Sequence, residues 1–486
     1  MARPLVLVHG YSADAKAFHP VREKITEFLK AKNVPVVDIN ICNYISLNNE
    51  ITIKDIAEGF DRAISLRAGL NNGEEFDAVV HSTGMLVVRA WLVNYGGALK
   101  DNKRLKRLKH LIGVAPATWG SPQAHKGRTW LGALVKGNKQ LGPDFLNAGD
   151  LVLDGLELGS QFTWDLASED LVGTEPYYGT GKDTPYVAVF IGNQPYEGLA
   201  SVANDPGTDG TVRWAGCALN SRKITVDLTR SGTPGGRVKI SPWAIDRLEV
   251  PMIAVEGRDH GTLISNPDAG MIQRIVSFLD VNDKPGFDAW LKDATQYGAP
   301  ALAKMKINPG AHAAGMAAEA EKFFGHIIGH NSPMDMDGWQ QFVVRAVDEW
   351  GDGISDYVLD VLKQENGEWK RFDEMFTDVH AYAADPSFRC FYIRLPKGIC
   401  TAGRPIKIRI NASTGTELMA YRAYGTGVQE LGATLQPIEL DATNIGPPGG
   451  KETLFYPFTT TMIEILINRD PVPFDKESRI LGFENA

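Results

Sequence analysis

The sequence predicts an α/β fold, with a doubly wound, mostly parallel sheet, followed by a helical segment and an all-β, sandwich-like C-terminal domain. Three observations lead there. Short runs rich in Val and Ile alternate with helix-period segments up to Leu279. From Pro285 the composition turns Ala-rich and helical, and beyond Asn331 short strand-like runs recur between Gly, Pro, Asp and Asn.

The strand candidates of the first part are Leu5–Val8, Val34–Ile39, Phe76–Val80, Leu111–Ala115, Tyr186–Ile191 and Met252–Val255. Helix-period segments at Ala17–Ala31, Ile53–Gly69, Met85–Tyr95 and Met271–Leu279 lie among them. This alternation implies a parallel sheet covered on both faces. Ligands of such sheets bind beyond the carboxyl ends of the strands, so residues just after a strand are the candidates for chemistry. Residues 117–184 break the rhythm. They read as a lid-like insertion whose Trp119, Trp130, Leu131 and Leu134 are candidate substrate contacts; the plain alternative is a helical excursion covering the sheet. The expected organisation is an α/β domain over 1–283, a helical connecting segment over 284–345 and a β-sandwich-like domain over 346–486. The strands of the last are expected to form an antiparallel sandwich from Tyr357–Leu362, Trp369–Phe372, Arg389–Leu395, Ile406–Ile410, Leu418–Arg422, Ile438–Leu440 and Met462–Ile467.

Composition narrows the function classes. The 486 residues are 43% hydrophobic and 22% charged, as in ordinary globular proteins, which excludes a disordered or fibrous chain. Fifty Lys and Arg against 59 Asp and Glu leave a net charge of −9, which argues against a nucleic-acid partner. No apolar run is long enough for a transmembrane segment. Met1-Ala-Arg-Pro leads straight into Leu5–Val8 and leaves no room for a signal peptide, so a cytoplasmic location is the default, with a mature exported chain as the alternative. Cys42, Cys217, Cys390 and Cys400 lack metal-ligand spacing; Cys390 and Cys400 are close enough in sequence to pair in an exported protein, and buried thiols are the other reading. Asp335, Asp337, Asp348, Asp352 and Asp356 do not follow the spacing of a calcium loop and read as turn residues, with a structural calcium as the alternative; no metal site is expected.

Val80-His81-Ser82-Thr83-Gly84 closes one strand and opens the next helix. A turn that tight strains the Ser82 backbone, lifts its hydroxyl clear of the sheet and places it at the positive end of the helix. Val80 stands where the usual motif has glycine, and an ordinary N-cap serine is the competing reading. Val6-Leu7-Val8-His9-Gly10-Tyr11 ends another strand, and the amides of Tyr11 and Thr83 are candidates to hold a developing oxyanion. Asp209 and His260 then follow in the order a Ser, Asp, His set requires, each in a loop beyond a strand. A serine hydroxyl needs an imidazole to take its proton, and the imidazole needs a carboxylate to fix its tautomer. Among rivals, Asp205 competes with Asp209; His81 is expected to pack or bond locally; His9 is expected to support its turn, Asp259 to order its own loop and Glu256 to stand behind the site.

These residues resemble the α/β-hydrolase superfamily, and within it the bacterial lipases and esterases. The resemblance is carried by His9-Gly10-Tyr11, His81-Ser82-Thr83-Gly84, the segment Gly113–Ser121, Asp209-Gly210-Thr211-Val212 and Asp259-His260-Gly261. It implies ester hydrolysis through an acyl-enzyme on Ser82, with His260 as general base then acid, Asp209 orienting His260, the Tyr11 and Thr83 amides as oxyanion hole, and no cofactor. The expected activity is that of a carboxylesterase or triacylglycerol lipase. The apolar insertion points to hydrophobic acyl esters, whether small molecules, lipids or polyesters, and to interfacial contact with lipid. The alternatives are an inactive hydrolase-fold binding protein, or an acyltransferase or thioesterase using the same three residues. Val80 and the long C-terminal extension depart from the common pattern.

Overall fold

The structure, a computed structural model, describes residues 3–10, 15–31, 33, 39–42, 50–67, 69–96, 106–126, 150–174, 176–179, 183–197, 204–229, 238–240, 250–307, 335–372, 375–401, 403–423, 438–443, 453–473 and 477–484. Two compact units form, Met1–Asn220 with Ala244–Asp335 and Ser221–Trp243 with Met336–Ala486. Trp130, Leu131, Leu134 and Tyr11 lie outside the described residues, as do 34–38 of the strand expected at Val34–Ile39.

Strands β1 (Leu5–Val8), β2 (Ile39–Cys42), β3 (Phe76–His81), β4 (Leu108–Val114) and β5 (Tyr186–Gly192) belong to the first unit, β6 (Ser221–Asp227) and β7 (Val238–Ile240) to the second, and β8 (Met252–Val255) to the first again. The first unit's sheet runs β2-β1-β3-β4-β5-β8, parallel throughout. β1 and β3 are buried along their whole lengths, which is why their sequences show no polar alternation. From β1 the chain moves to β2 on one side and then to β3 on the other, so the strand order reverses at the β1/β3 boundary. The turns after those two strands, at Gly10 and Ser82, flank this switch point, where the carboxyl edge of an open α/β sheet leaves a crevice.

The helices follow ordinary local rules. α1 (His19–Ala31) buries Val21, Ile25 and Leu29, one stripe at a spacing of one turn. α2 (Ile53–Leu66) starts at Thr52, whose side chain accepts from the Asp55 amide while the Asp55 carboxylate accepts from the Thr52 amide. α3 (Gly84–Gly96) is buried from Gly84 through Leu92 and carries one charge into that interior, Arg89. Its guanidinium forms a bidentate pair with Asp170 at 2.8 Å on both bonds and donates to the Thr118 carbonyl at 2.7 Å; the Tyr178 hydroxyl adds a third donor to Asp170 at 2.6 Å. Asp170 ends the helix Gln161–Asp170, so this network ties the described part of the 117–184 insertion to α3. Burial, then the Asp170 carboxylate, pushes the Tyr178 hydroxyl well above its usual range, so it stays a donor. The helix Lys284–Met305, capped by Asp283, also belongs to this unit and buries Phe287, Trp290, Ala294 and Met305; the Trp290 and Phe278 rings stand 4.4 Å apart.

The second unit contains β9 (Met336–Asp348), β10 (Tyr357–Glu365), β11 (Glu368–Arg371), β12 (Phe376–Ala381), β13 (Phe388–Pro396), β14 (Ile406–Ala412), β15 (Met419–Arg422), β16 (Ile438–Asp441) and β17 (Thr459–Pro471). One sheet is β11-β10-β14-β16; the other runs β12-β13-β9-β17-β6-β7, with β15 paired to β17. Phe342, Val344, Phe391, Ile463 and Ile465 from the larger sheet share one core with Tyr357, Ile406 and Ile410 from the smaller.

Three expectations need correction. The sandwich is mixed rather than antiparallel, because β17 runs parallel to both β9 and β6. Residues 336–345 are not helical connector: β9 is a central strand buried on both faces, so its sequence lacks the two-residue period that marks a half-exposed strand. β6 and β7, counted within 1–283 by sequence order, join the second unit because Ile224 and Val226 face its core. Cys390 and Cys400 carry thiols rather than a shared disulfide. Asp348 accepts from the Trp350 and Asp352 amides, a turn role.

Replacing Asp170 with Asn leaves the Arg89 guanidinium buried without its counter-charge. The first unit should lose about 3 kcal/mol in urea unfolding. The double replacement of Arg89 by Met and Asp170 by Leu should lose clearly less, since no orphaned charge remains.

Candidate active site

Ser82 follows β3 with a backbone φ of 52°, left-handed for a side chain that rarely adopts it. Its own backbone is saturated: the amide donates to Val114 at 3.2 Å, and the carbonyl accepts from Ala117 at 3.1 Å and Met85 at 3.2 Å. The strain is therefore held by neighbours on both sides. Close approach requires two glycines: a Cβ on Gly84 would come within 2.8 Å of the Val8 carbonyl, and one on Gly10 within 2.8 Å of the Ser82 Cβ. Val80 is fully buried in β3, in register with Val8 and Gly113. The residue two before the serine is thus an ordinary strand position, and the tight contact of elbow and β1 turn falls on Gly84 and Gly10 instead. The Ser82 Oγ is buried without a hydrogen-bond partner. Thr83 precedes the first turn of α3, where backbone amides lack acceptors within the helix.

The acid loop is built around Asp209, which is fully buried. One carboxylate oxygen accepts from the Thr211 amide at 3.0 Å and the Val212 amide at 2.9 Å. The other faces His260 Nδ1 at 3.0 Å. A carboxylate is an acceptor, so Nδ1 carries the hydrogen and Nε2 the lone pair, the tautomer a general base needs. The His260 amide also donates to the Asp209 carbonyl at 3.0 Å, closing a second contact between the two loops. Asp205 does not take this place; its carbonyl accepts from the Thr208 hydroxyl. Asp259 accepts from the Gly261 and Thr262 amides and orders its own loop, and Glu256 bonds Lys304 and Asn193. His9 Nδ1 bonds the Gly10 carbonyl at 2.6 Å, supporting its turn.

His81 departs from the expectation of local packing. Its Nε2 lies 3.2 Å from the carbonyl of His260, and the two rings stand 4.7 Å apart. Burial, then the neighbouring His260 and His9, push its pKa well below the ordinary value. A brace that no sequence motif announces lies under the Asp209 loop. The Ser121 hydroxyl donates to the Thr211 carbonyl at 2.6 Å, Gln123 donates to the Gly210 carbonyl at 3.3 Å, and the Tyr196 and Thr211 hydroxyls share a bond of 2.6 Å. No spacing rule marks these residues, since each acts through a carbonyl or hydroxyl far along the chain. Trp119 is buried, with its amide donating to Gly216, so it is built into the packed loop after β4 rather than into an exposed lid surface. Among the described residues no His, Cys, Asp and Glu gather as a metal-binding group.

Over nearly its whole length the chain is similar to phospholipase PlaB from Legionella pneumophila, with 20% identity and a TM-score of 0.74 over 99% of this chain and 97% of that one. The same protein in complex with thio-NAD gives 19% identity and a TM-score of 0.73, with equal coverage. The chain shares the fold of that protein, with a parallel sheet flanked by helices and further β-sheets. The mature lipase BlEst2 from Bacillus licheniformis aligns with 57% of this chain and 92% of its own, at 16% identity and a TM-score of 0.36. No protein-family model matches the sequence, and no curated protein matches it. The PlaB likeness spans both units, so the C-terminal sandwich belongs to the shared architecture.

The buried His81 makes stability depend on pH with a defined sign. The unfolded chain takes up a proton at this residue below about 6.5, and the folded protein resists doing so. Its contribution is therefore fully present above that pH and is lost as pH falls further, by up to about 1.4 kcal/mol per pH unit. Melting curves should show a shallower decline below pH 6.5 for His81→Phe than for the wild type.

Proposed function

We propose that the first unit is a cofactor-free serine hydrolase of carboxylic esters, and that its substrates are lipids with hydrophobic acyl chains, phospholipids foremost. The single observation that carries the reading is the Asp209–His260 hydrogen bond of 3.0 Å, formed at the same sheet edge as a strained serine with an unengaged hydroxyl. In this reading the Ser82 Oγ attacks the ester carbonyl while its proton passes to His260 Nε2. Asp209 stabilises the resulting imidazolium. The carbonyl oxygen becomes an oxyanion held by the Thr83 amide and, as the sequence places it, the Tyr11 amide. Collapse expels the alcohol, which takes the proton from His260, and leaves an acyl-serine. A water molecule activated by the same imidazole then releases the acid and restores Ser82. The lipid class is supported by the full-length likeness to a phospholipase and by the apolar character of the 117–184 insertion.

Ser82→Ala should keep the wild-type melting temperature and lose hydrolysis of p-nitrophenyl esters to background. Asp209→Asn, which permits the wrong imidazole tautomer, should lower kcat by roughly 10³-fold to 10⁴-fold with little change in KM. Across esters and phospholipids of rising acyl length, activity should hold or increase; a steady fall with chain length would remove the lipid assignment. Release of an alcohol ester or a thioester product in preference to free acid would indicate acyl transfer instead.

A further inference from the structure

His260 is held from two directions. Its amide and its Nδ1 both meet Asp209, at 3.0 Å each. Its carbonyl meets His81 Nε2 at 3.2 Å. Its Nε2 is the atom that base chemistry uses. His81 is the residue directly before Ser82, so the contact joins the serine elbow to the base loop across 179 residues.

The tautomer of His81 follows from its surroundings. A carbonyl only accepts, so Nε2 carries the hydrogen. Nδ1 is buried without a partner, and a Cβ on Gly10 would lie 2.9 Å from it, so this nitrogen is packed against the β1 turn. Protonating it would bury a donor with nothing to accept the hydrogen, beside a second imidazole that must itself become charged during turnover. Among the described residues, the charged and titratable groups around His81 are His260, whose ring lies tilted at 46° to it, and His9 on the β1 turn; Phe18 covers the ring edge-on at 6.0 Å.

We infer that His81 is a positioning residue for the general base: its Nε2–H anchors the His260 carbonyl to the serine elbow and so sets where the His260 imidazole stands relative to Ser82. The inference rests on the serine hydrolase reading above. Asp209 fixes the ring's rotation and tautomer, and His81 fixes the backbone that carries the ring.

Two variants separate the donor from the packing. His81→Phe keeps a ring of similar size and loses the N–H, whereas His81→Gln places an amide N–H at nearly the same reach. The readouts are kcat and KM on a p-nitrophenyl ester, and the rate at which a fluorophosphonate labels Ser82, with melting temperature measured alongside. For His81→Phe, kcat and the labelling rate should both fall about tenfold or more, with KM nearly unchanged, because misplacing a catalytic group acts on the reacting geometry. His81→Gln should recover most of that loss. Should His81→Phe fail to fold, His81→Asn, too short to reach the carbonyl, takes its place in the comparison. An unchanged labelling rate without the donor, or equal losses in the donor-keeping and donor-lacking variants, would overturn the positioning role while leaving the hydrolase reading intact. Failure of the wild-type Ser82 to label, or retained hydrolysis in Ser82→Ala, would overturn the hydrolase reading and the positioning role with it.

Discussion

The contact between Asp209 and His260 is the constraint around which the first unit is arranged. The two residues belong to loops that follow β5 and β8, neighbouring parallel strands, and they meet through both side chain and backbone. A buried carboxylate is costly unless it is fully bonded, and Asp209 satisfies that demand with two amides and an imidazole. The turn 209–212 must therefore keep its shape, which is the physical reason for the Ser121, Gln123 and Tyr196 contacts beneath it. Loss of that turn would leave charge in the interior rather than merely loosen a loop.

The serine elbow is held in the same manner. A left-handed Ser82 costs about 1 to 3 kcal/mol and persists only where the surroundings determine it. Val114 and Ala117 grip its backbone from β4 and the loop beyond, and Gly10 and Gly84 let the β1 turn close over it. The segment after β4 thus serves both halves of the site: Ala117 bonds the elbow, and Ser121 bonds the acid loop. Arg89, in the second turn of α3, bonds the Thr118 carbonyl within that segment and draws Asp170 and Tyr178 in behind it. Stability and site geometry are coupled here through a few buried polar groups whose partners cannot be exchanged for water.

The second unit obeys different accounting. Its longest strands, β9 and β17, are paired on both sides and lie side by side in parallel register. Buried Gln340 donates to the Leu454 carbonyl and the Thr461 hydroxyl, so polar residues enter the sheet where hydroxyls and carbonyls can receive them. The recruitment of β6, a segment lying between β5 and β8 in the chain, makes the two units interleaved in sequence.

The sequence by itself determined the parallel sheet of the first unit, the strand–turn–helix around Ser82, and the order in which serine, acid and imidazole appear. These are legible because they depend on local chemistry: apolar runs of strand length, glycines at tight turns, and polar residues placed just past a strand. Asp209 was separable from Asp205 only as an expectation; that Asp209 bonds His260 depends on where β8 lies beside β5. The bond from His81 to His260, the Arg89–Asp170 pair and the Ser121 brace were likewise decided by tertiary structure alone. Each joins residues far apart in the chain, and a side chain's partner across such a distance is set by the packing of the whole unit. The strand β9 was hidden for a related reason: a strand buried on both faces has no periodicity of its own, and its identity comes from the neighbours that pair with it.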